Sequence, residues 1–155
     1  SCADDSMETQ KDFKELLELL NARSVEFVIV GGYALAFHGV PRYTGDLDIL
    51  VKPDKTNAEK ILKTMDDFGF GFMNFSLDDF SRPGKVTQLG FPPVRIDIIT
   101  SITGVSWEDA STHAVAGKYG DVHVRYLGKE ELIANKRALG RHKDLADVEA
   151  LGEKA

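Results

Sequence analysis

Two aspartates one residue apart, Asp46-Leu47-Asp48, open the stretch Asp46–Val51, in which polar and apolar residues alternate. Side chains along a β-strand point to opposite faces in turn. Asp46, Asp48 and Leu50 therefore share one face while Leu47, Ile49 and Val51 take the other. Carboxylates held that close repel, and one of them resists ionising unless a cation stands between them. Such hard oxygen donors suit Mg²⁺, which keeps several waters and draws its remaining ligands from substrate phosphates. A bare Asp-x-Asp is also what a solvated edge strand carries, so its neighbours have to decide between the two.

Three neighbours bear on that choice. Gly31-Gly32 follows the apolar run Phe27-Val28-Ile29-Val30 directly. Glycines there let backbone amides approach a phosphate and open a helix whose N-terminus favours anions, although a tight strand-to-helix turn needs glycine anyway. Asp97 lies inside Arg95-Ile96-Asp97-Ile98-Ile99, an otherwise apolar strand in which Val94, Ile96 and Ile98 share a face. An aspartate buried there requires a partner, and an ion pair with a nearby arginine competes with a metal for that role. Arg42-Tyr43-Thr44 leads into the aspartate pair and offers it a cation and a hydroxyl.

The elements that must position these residues follow from periodicity. Phe13, Leu16, Leu17 and Leu20 recur at helical spacing over Thr9–Asn21, with Thr9 and Asp12 as a capping pair. Phe27–Val30 reads as a buried strand, Tyr33–His38 as a helix and Asp46–Val51 as the next strand, stopped by Lys52-Pro53-Asp54. Ala58–Met65 continues as a helix with Ile61, Leu62 and Met65 inward, while Phe68–Gly84 is ambiguous beyond a helix start near Ser76–Asp79. Lys85–Leu89 and Val94–Thr100 read as strands, Glu108–Ala116 as a short helix and Val122–Tyr126 as a last strand. Lys129–Leu139 and Lys143–Leu151 form a closing helical pair, broken around Gly140. Strands alternating with helices predict an α/β (α+β) domain: a mixed β-sheet flanked by helices.

With 155 residues the chain suits one domain, taken as 7–155, with 1–6 as a disordered leader outside the fold. At 43% hydrophobic and 28% charged it can build a core and a solvated surface, and no stretch is apolar enough for a membrane helix. The single cysteine, Cys2, and the lack of a signal-like N-terminus point to a cytoplasmic setting. The net charge of −6 argues against broad nucleic-acid binding but leaves room for a local basic patch.

The order Val28-Ile29-Val30-Gly31-Gly32, a spacer, then Asp46-Leu47-Asp48-Ile49 resembles the signature of the nucleotidyltransferase superfamily that includes DNA polymerase beta. The stretch Gly39–Asp48 is similar to small prokaryotic members, some associated with abortive-infection and toxin–antitoxin transferases. The likeness extends through Arg95-Ile96-Asp97 to the tail Asn135–Arg137 and Gly140–Asp147. It implies the nucleotidyltransferase fold and transfer of a nucleoside monophosphate from an NTP to a hydroxyl, with pyrophosphate released. It further implies that Asp46, Asp48 and Asp97 hold Mg²⁺, with Mn²⁺ as a substitute, and that Asp97 assists deprotonation of the acceptor. Gly31 and Gly32 would cradle phosphates, with Arg42 and Thr44 beside them. The spacer between Gly32 and Asp46 is longer than the commonest spacing, so the intervening helix is expected to end at Gly39.

In related toxin-like transferases a lysine and a later aspartate join the nucleotide site, and Lys136 and Asp144 are the matching positions. Lys136, Arg137, Arg141, His142 and Lys143 would otherwise be a solvated basic face, with Lys143 and Asp147 paired at i,i+4. No histidines or cysteines stand at zinc spacing, Ser101 and Ser106 lack a triad, and the phenylalanines of Phe68–Phe75 read as packing rather than as a stacking platform. The acceptor stays open among an RNA 3′ end, a protein and a small molecule, and a homodimer or protein partner is a route to completing its site. The rival from another class is a non-catalytic, antitoxin-like or nucleotide-sensing binding module. A third reading, a structural domain, would leave Asp97 exposed or simply paired with arginine.

Overall fold

A computed structural model describes residues 9–41, 45–91 and 94–153. The chain runs α1 (Lys11–Ala22), β1 (Phe27–Val30), α2 (Gly31–Phe37), β2 (Asp46–Val51), α3 (Lys55–Asp67) and a 3₁₀ turn at Gly71–Met73. It continues with α4 (Asp78–Ser81), β3 (Val86–Phe91), β4 (Val94–Ile99), α5 (Trp107–Thr112), β5 (Val115–Tyr119), β6 (Val122–Tyr126), α6 (Lys129–Leu139) and α7 (His142–Ala150). The strands form one mixed sheet in the order β3-β4-β2-β1-β6-β5. β1 runs antiparallel to β2 and parallel to β6, and β2 runs parallel to β4. The expected mixed sheet flanked by helices, with a closing helical pair, is what forms.

The core explains this arrangement. In the β2–β4 register Leu47 stands abreast of Ile96 and Ile49 abreast of Ile98, and all four side chains are buried. Phe13 of α1 lies beside Leu89 and Ile96, so α1 covers the same face. Burying a side chain of this size contributes about 1.5–3 kcal/mol, which makes a one-residue slip of β2 prohibitive. Polar contacts then fix the ends. Asp54 caps α3 by accepting from Asn57 N at 2.8 Å. Buried Asn57 also accepts from Glu26 N at 2.8 Å and donates to Glu26 O and Lys52 O at 3.0 Å, joining α3 to the start of β1 and the end of β2.

Several boundaries differ from the sequence reading. α1 begins at Lys11 with Gln10 at its N-cap and no side-chain cap, so the Thr9–Asp12 pair does not form; Gln10 N instead donates to Tyr119 Oη at 2.7 Å. α5 stops at Thr112, and the residues after it form β5, which pairs antiparallel with β6 through the turn at Gly120. The expected helix over Glu108–Ala116 therefore absorbed the first residues of an edge strand. α2 starts at Gly31 itself and ends at Phe37, with His38 donating from Nε2 to Leu127 O at 2.7 Å. Among the described residues no helix is long and apolar enough to cross a membrane.

Candidate active site

The parallel register of β2 and β4 sets Asp46 abreast of Arg95 and Asp48 abreast of Asp97. All four side chains share one face of the sheet, because Leu47 and Ile96 between them point to the other. Sequence separation thus becomes contact: residues 49 positions apart lie on neighbouring strands. On its other side Asp48 stands abreast of Val30, the last residue of β1, which brings it against the start of α2.

Gly31 makes that approach feasible. Its φ is +68°, the left-handed region that costs other residues about 1–2 kcal/mol, and a Cβ built on it would land on Asp48 Oδ2. Two separate constraints, backbone conformation and space, therefore require glycine at this point. Gly32 follows as the second residue of α2 and is half-buried.

The electrostatics of the cluster are unbalanced. Arg95 bridges two of the acids, Nη2 lying 2.8 Å from Asp46 Oδ2 and Nε 3.3 Å from Asp97 Oδ1. Asp48 stands beside Asp97 across the β2–β4 ladder. Burial, then repulsion from Asp97 and Asp46, pushes its carboxyl from the ordinary 3.8 up to about 7. Burial also raises Asp97, against the opposing pull of Arg95.

The donor chemistry fits a hard divalent cation: three carboxylates on one face, with Asp97 9% exposed and its Oδ1 lacking a hydrogen bond. As they stand, however, no three potential ligands among the described residues are arranged as a metal cage. Arg95 lies against oxygens of both Asp46 and Asp97. Sequence reasoning weighed a nearby arginine as an ion-pair partner of Asp97; that Arg95 also reaches Asp46 depends on β2 and β4 being parallel neighbours, which no spacing rule reveals.

Not all the candidate residues converge here. Arg42 and Thr44 lie outside the described residues. Lys136 and Asp144 do meet, but as part of the α6–α7 packing. Lys136 Nζ lies 3.6 Å from Asp144 Oδ1 and 3.0 Å from Asp147 Oδ2, and both aspartates are fully buried. Arg141 holds Asp144 as well, with Nε donating to Oδ2 at 2.6 Å, and this bond leads in keeping that carboxyl below its ordinary range. Asp147 pairs with Lys136, not with Lys143 as the i,i+4 spacing suggested. A cavity of about 390 Å³, lined by Lys52, Asp54, Ser101, Ser106 and Trp107 among others, lies past the opposite end of β2 from Asp46.

No protein-family model matches the chain, and no curated protein is similar to it in sequence. Solved structures do resemble it. A provisionally assigned nucleotidyltransferase from Thermotoga maritima superposes with a TM-score of 0.55 at 17% identity, over 90% of this chain and 88% of its own. The lincosamide antibiotic adenylyltransferase LnuA, in a lincomycin-bound structure, superposes with a TM-score of 0.51 at 15% identity, over 95% of this chain and 98% of its own. At such identities the likeness speaks for architecture, and on that ground the chain has the fold of the nucleotidyltransferases.

Proposed function

We propose that the chain is a divalent-cation-dependent nucleotidyltransferase that moves a nucleoside monophosphate from an NTP to a hydroxyl acceptor and releases pyrophosphate. The observation that carries this reading is the convergence of Asp46, Asp48 and Asp97 on one sheet face, with Asp48 pressed against a glycine that admits no side chain. The shared fold supports it.

Asp46, Asp48 and Asp97 would hold Mg²⁺ or Mn²⁺. When bound, such ions neutralise the triphosphate and stabilise charge on the attacking and departing oxygens. Gly31 and Gly32 leave backbone free to approach phosphate oxygens beside Asp48. Asp97, raised by burial, would accept the acceptor's hydroxyl proton as the new phosphodiester forms and pyrophosphate departs. Arg42 and Thr44, just before β2, would meet the phosphates from the strand's N-terminal end. The acceptor is a hydroxyl of RNA, protein or small molecule; the adenylyltransferase likeness makes a small molecule the first class to test.

Arg95 also favours a second reading, a nucleotide-sensing module without turnover, because its bridge gives two of the acids a structural counter-ion. The two readings separate in one experiment. The four α-labelled NTPs are offered with Mg²⁺ to wild type and to Asp46→Asn/Asp48→Asn, over a panel of RNA, protein and small-molecule acceptors. Label transferred by wild type and lost in the variant supports the transferase. Metal-dependent NTP binding with no transfer favours the sensor, and absence of any metal-dependent binding ends both.

A further inference from the structure

β3 is an edge strand of the sheet, and its antiparallel pairing with β4 extends the acid face outward. Gln88 stands abreast of Asp97 on one side as Asp48 does on the other, so Asp48, Asp97 and Gln88 make one row across three strands. Side chains directly opposite on antiparallel strands share a face, with Cβ atoms about 4.5–5.5 Å apart. Burial agrees: Leu89, abreast of Ile96, is buried on the reverse face, whereas Gln88 is exposed. The next row runs from buried Leu50 through half-buried Ile99 to Val86, which is 60% exposed. In the row on the other side β3 contributes only Gly90, abreast of Arg95.

The two flanks of the acids therefore differ. On the β1 side the start of α2 closes against them, with Gly31 set on Asp48. On the β3 side Val86 and Gln88 lie open to solvent. An in-line displacement uses both flanks, because the incoming oxygen and the departing pyrophosphate stand on opposite sides of the α-phosphorus. With the phosphates at Gly31 and Gly32, the acceptor approaches over β3. Its oxygen bonds to the α-phosphorus as its proton passes to Asp97 and the bond to pyrophosphate breaks. Gln88 is the next side chain beyond Asp97 on that path. Its amide carries two donors and an acceptor, and no hydrogen bond among the described residues engages them.

We propose that Gln88 is an acceptor-binding residue, and that the exposed strip of β3 around it seats a small hydroxylated molecule without negative charge. This rests on the transferase reading and specifies the acceptor side of that site. The Gln88 amide bonds a polar group beside the reacting hydroxyl, and Val86 packs against an apolar part of the same molecule. Val86, Gln88 and Gly90 are all uncharged. The strip thus offers no cation to the phosphates of an RNA strand, whose binding draws on such contacts.

The test is transfer from the four α-labelled NTPs with Mg²⁺ to propylene glycol, to lincomycin and to a short RNA with a free 3′ hydroxyl, for wild type, Gln88→Ala and Gln88→Met. Circular dichroism checks folding, which substitution at an exposed edge position should leave unchanged. Wild type should label a small molecule and leave the RNA unlabelled. Both variants should lower kcat/KM for that acceptor roughly threefold to tenfold, the scale of one neutral hydrogen bond, with KM for the NTP unchanged. Gln88→Met keeps the length of the side chain without its amide, so wild-type values in that variant overturn the bonding role. Equal losses toward NTP and acceptor also overturn it, since a general disturbance of the sheet has that effect. Label carried only by RNA, or only by the protein itself, overturns the small-molecule acceptor. Each of these results leaves the transferase reading intact. If wild type moves label to no acceptor at all, the proposal falls together with that reading.

Discussion

Replacing Asp48 by asparagine, in protein stripped of divalent cations, isolates what the clustered charges cost the fold. The carboxyl is held at about 7 in the native state against an ordinary 3.8. Between those values the folded chain keeps a proton that the unfolded chain has released, so stability is highest at acid pH and is lost as pH rises through the window toward 7. At about 1.4 kcal/mol per pH unit, the displacement sets a ceiling of roughly 4 kcal/mol on the alkaline side. Asp48 is half-buried and water screens part of the repulsion, so about 2 kcal/mol is the expected cost. Asparagine removes the ionisation while keeping nearly the same size and a polar head group. Thermal unfolding in EDTA should therefore show Asp48→Asn melting about 4–8 °C above wild type at pH 8, given the usual scaling for a chain of 155 residues. The gain should shrink steadily below pH 7 and be small near pH 4. The same variant should have lost nucleotidyl transfer. A gain that is equal at pH 4 and pH 8, or no gain at either, would refute the claim that the three acids repel each other in the native fold.

Gly31→Ala should cost about 2 kcal/mol or more in denaturant unfolding, since it combines left-handed backbone strain with displacement of Asp48. Adding Asp48→Ala should recover the steric part, and strictly additive losses would show that the two residues do not press on each other. Leu47→Ala removes a fully buried side chain behind the acids and should cost about 2–5 kcal/mol, measured by the urea midpoint. Lys136→Met leaves Asp147 without this cation and Asp144 with Arg141 alone, and should cost about 3–5 kcal/mol by the same measurement. If that variant keeps wild-type stability but loses NTP affinity, Lys136 serves the nucleotide rather than the α6–α7 packing.

The parts of the site legible in the sequence were those governed by local geometry. Alternation in Asp46–Val51 placed two carboxylates on one face, and the apolar frame around Asp97 marked it as an acid in need of a partner. Which strands are neighbours is a property of the whole fold, so the abreast pairing of Asp48 with Asp97, and the reach of Arg95 to Asp46, stayed hidden. β5 was missed for a different reason. Its residues Val115-Ala116-Gly117-Lys118-Tyr119 include Ala, Gly and Lys, which are poor strand formers, and as an edge strand it buries only Tyr119 fully. The hairpin partner supplies what composition does not. Lys136 and Asp144 were found together, but a basic cluster in sequence gives no sign that its lysine points inward to two buried aspartates on the next helix.

The arrangement around Asp48 is hard to account for by stability alone. An arginine with one carboxylate would satisfy β4, and an asparagine at position 48 would relieve the repulsion at no evident cost in packing. Glycine at position 31 raises the entropy the chain loses on folding, yet both its left-handed backbone and the Asp48 side chain filling the adjacent space require it. The chain instead combines a left-handed glycine, a carboxyl forced toward neutrality and a buried oxygen without a hydrogen bond at one point of an otherwise well-packed sheet. Local costs of this kind persist where the surrounding structure over-determines them, and they gather at sites that bind and react. The fully buried residues Leu47, Ile49 and Ile98 on the reverse face supply that determination. The same two strands thus anchor the domain on one side and hold mutually repelling acids in place on the other.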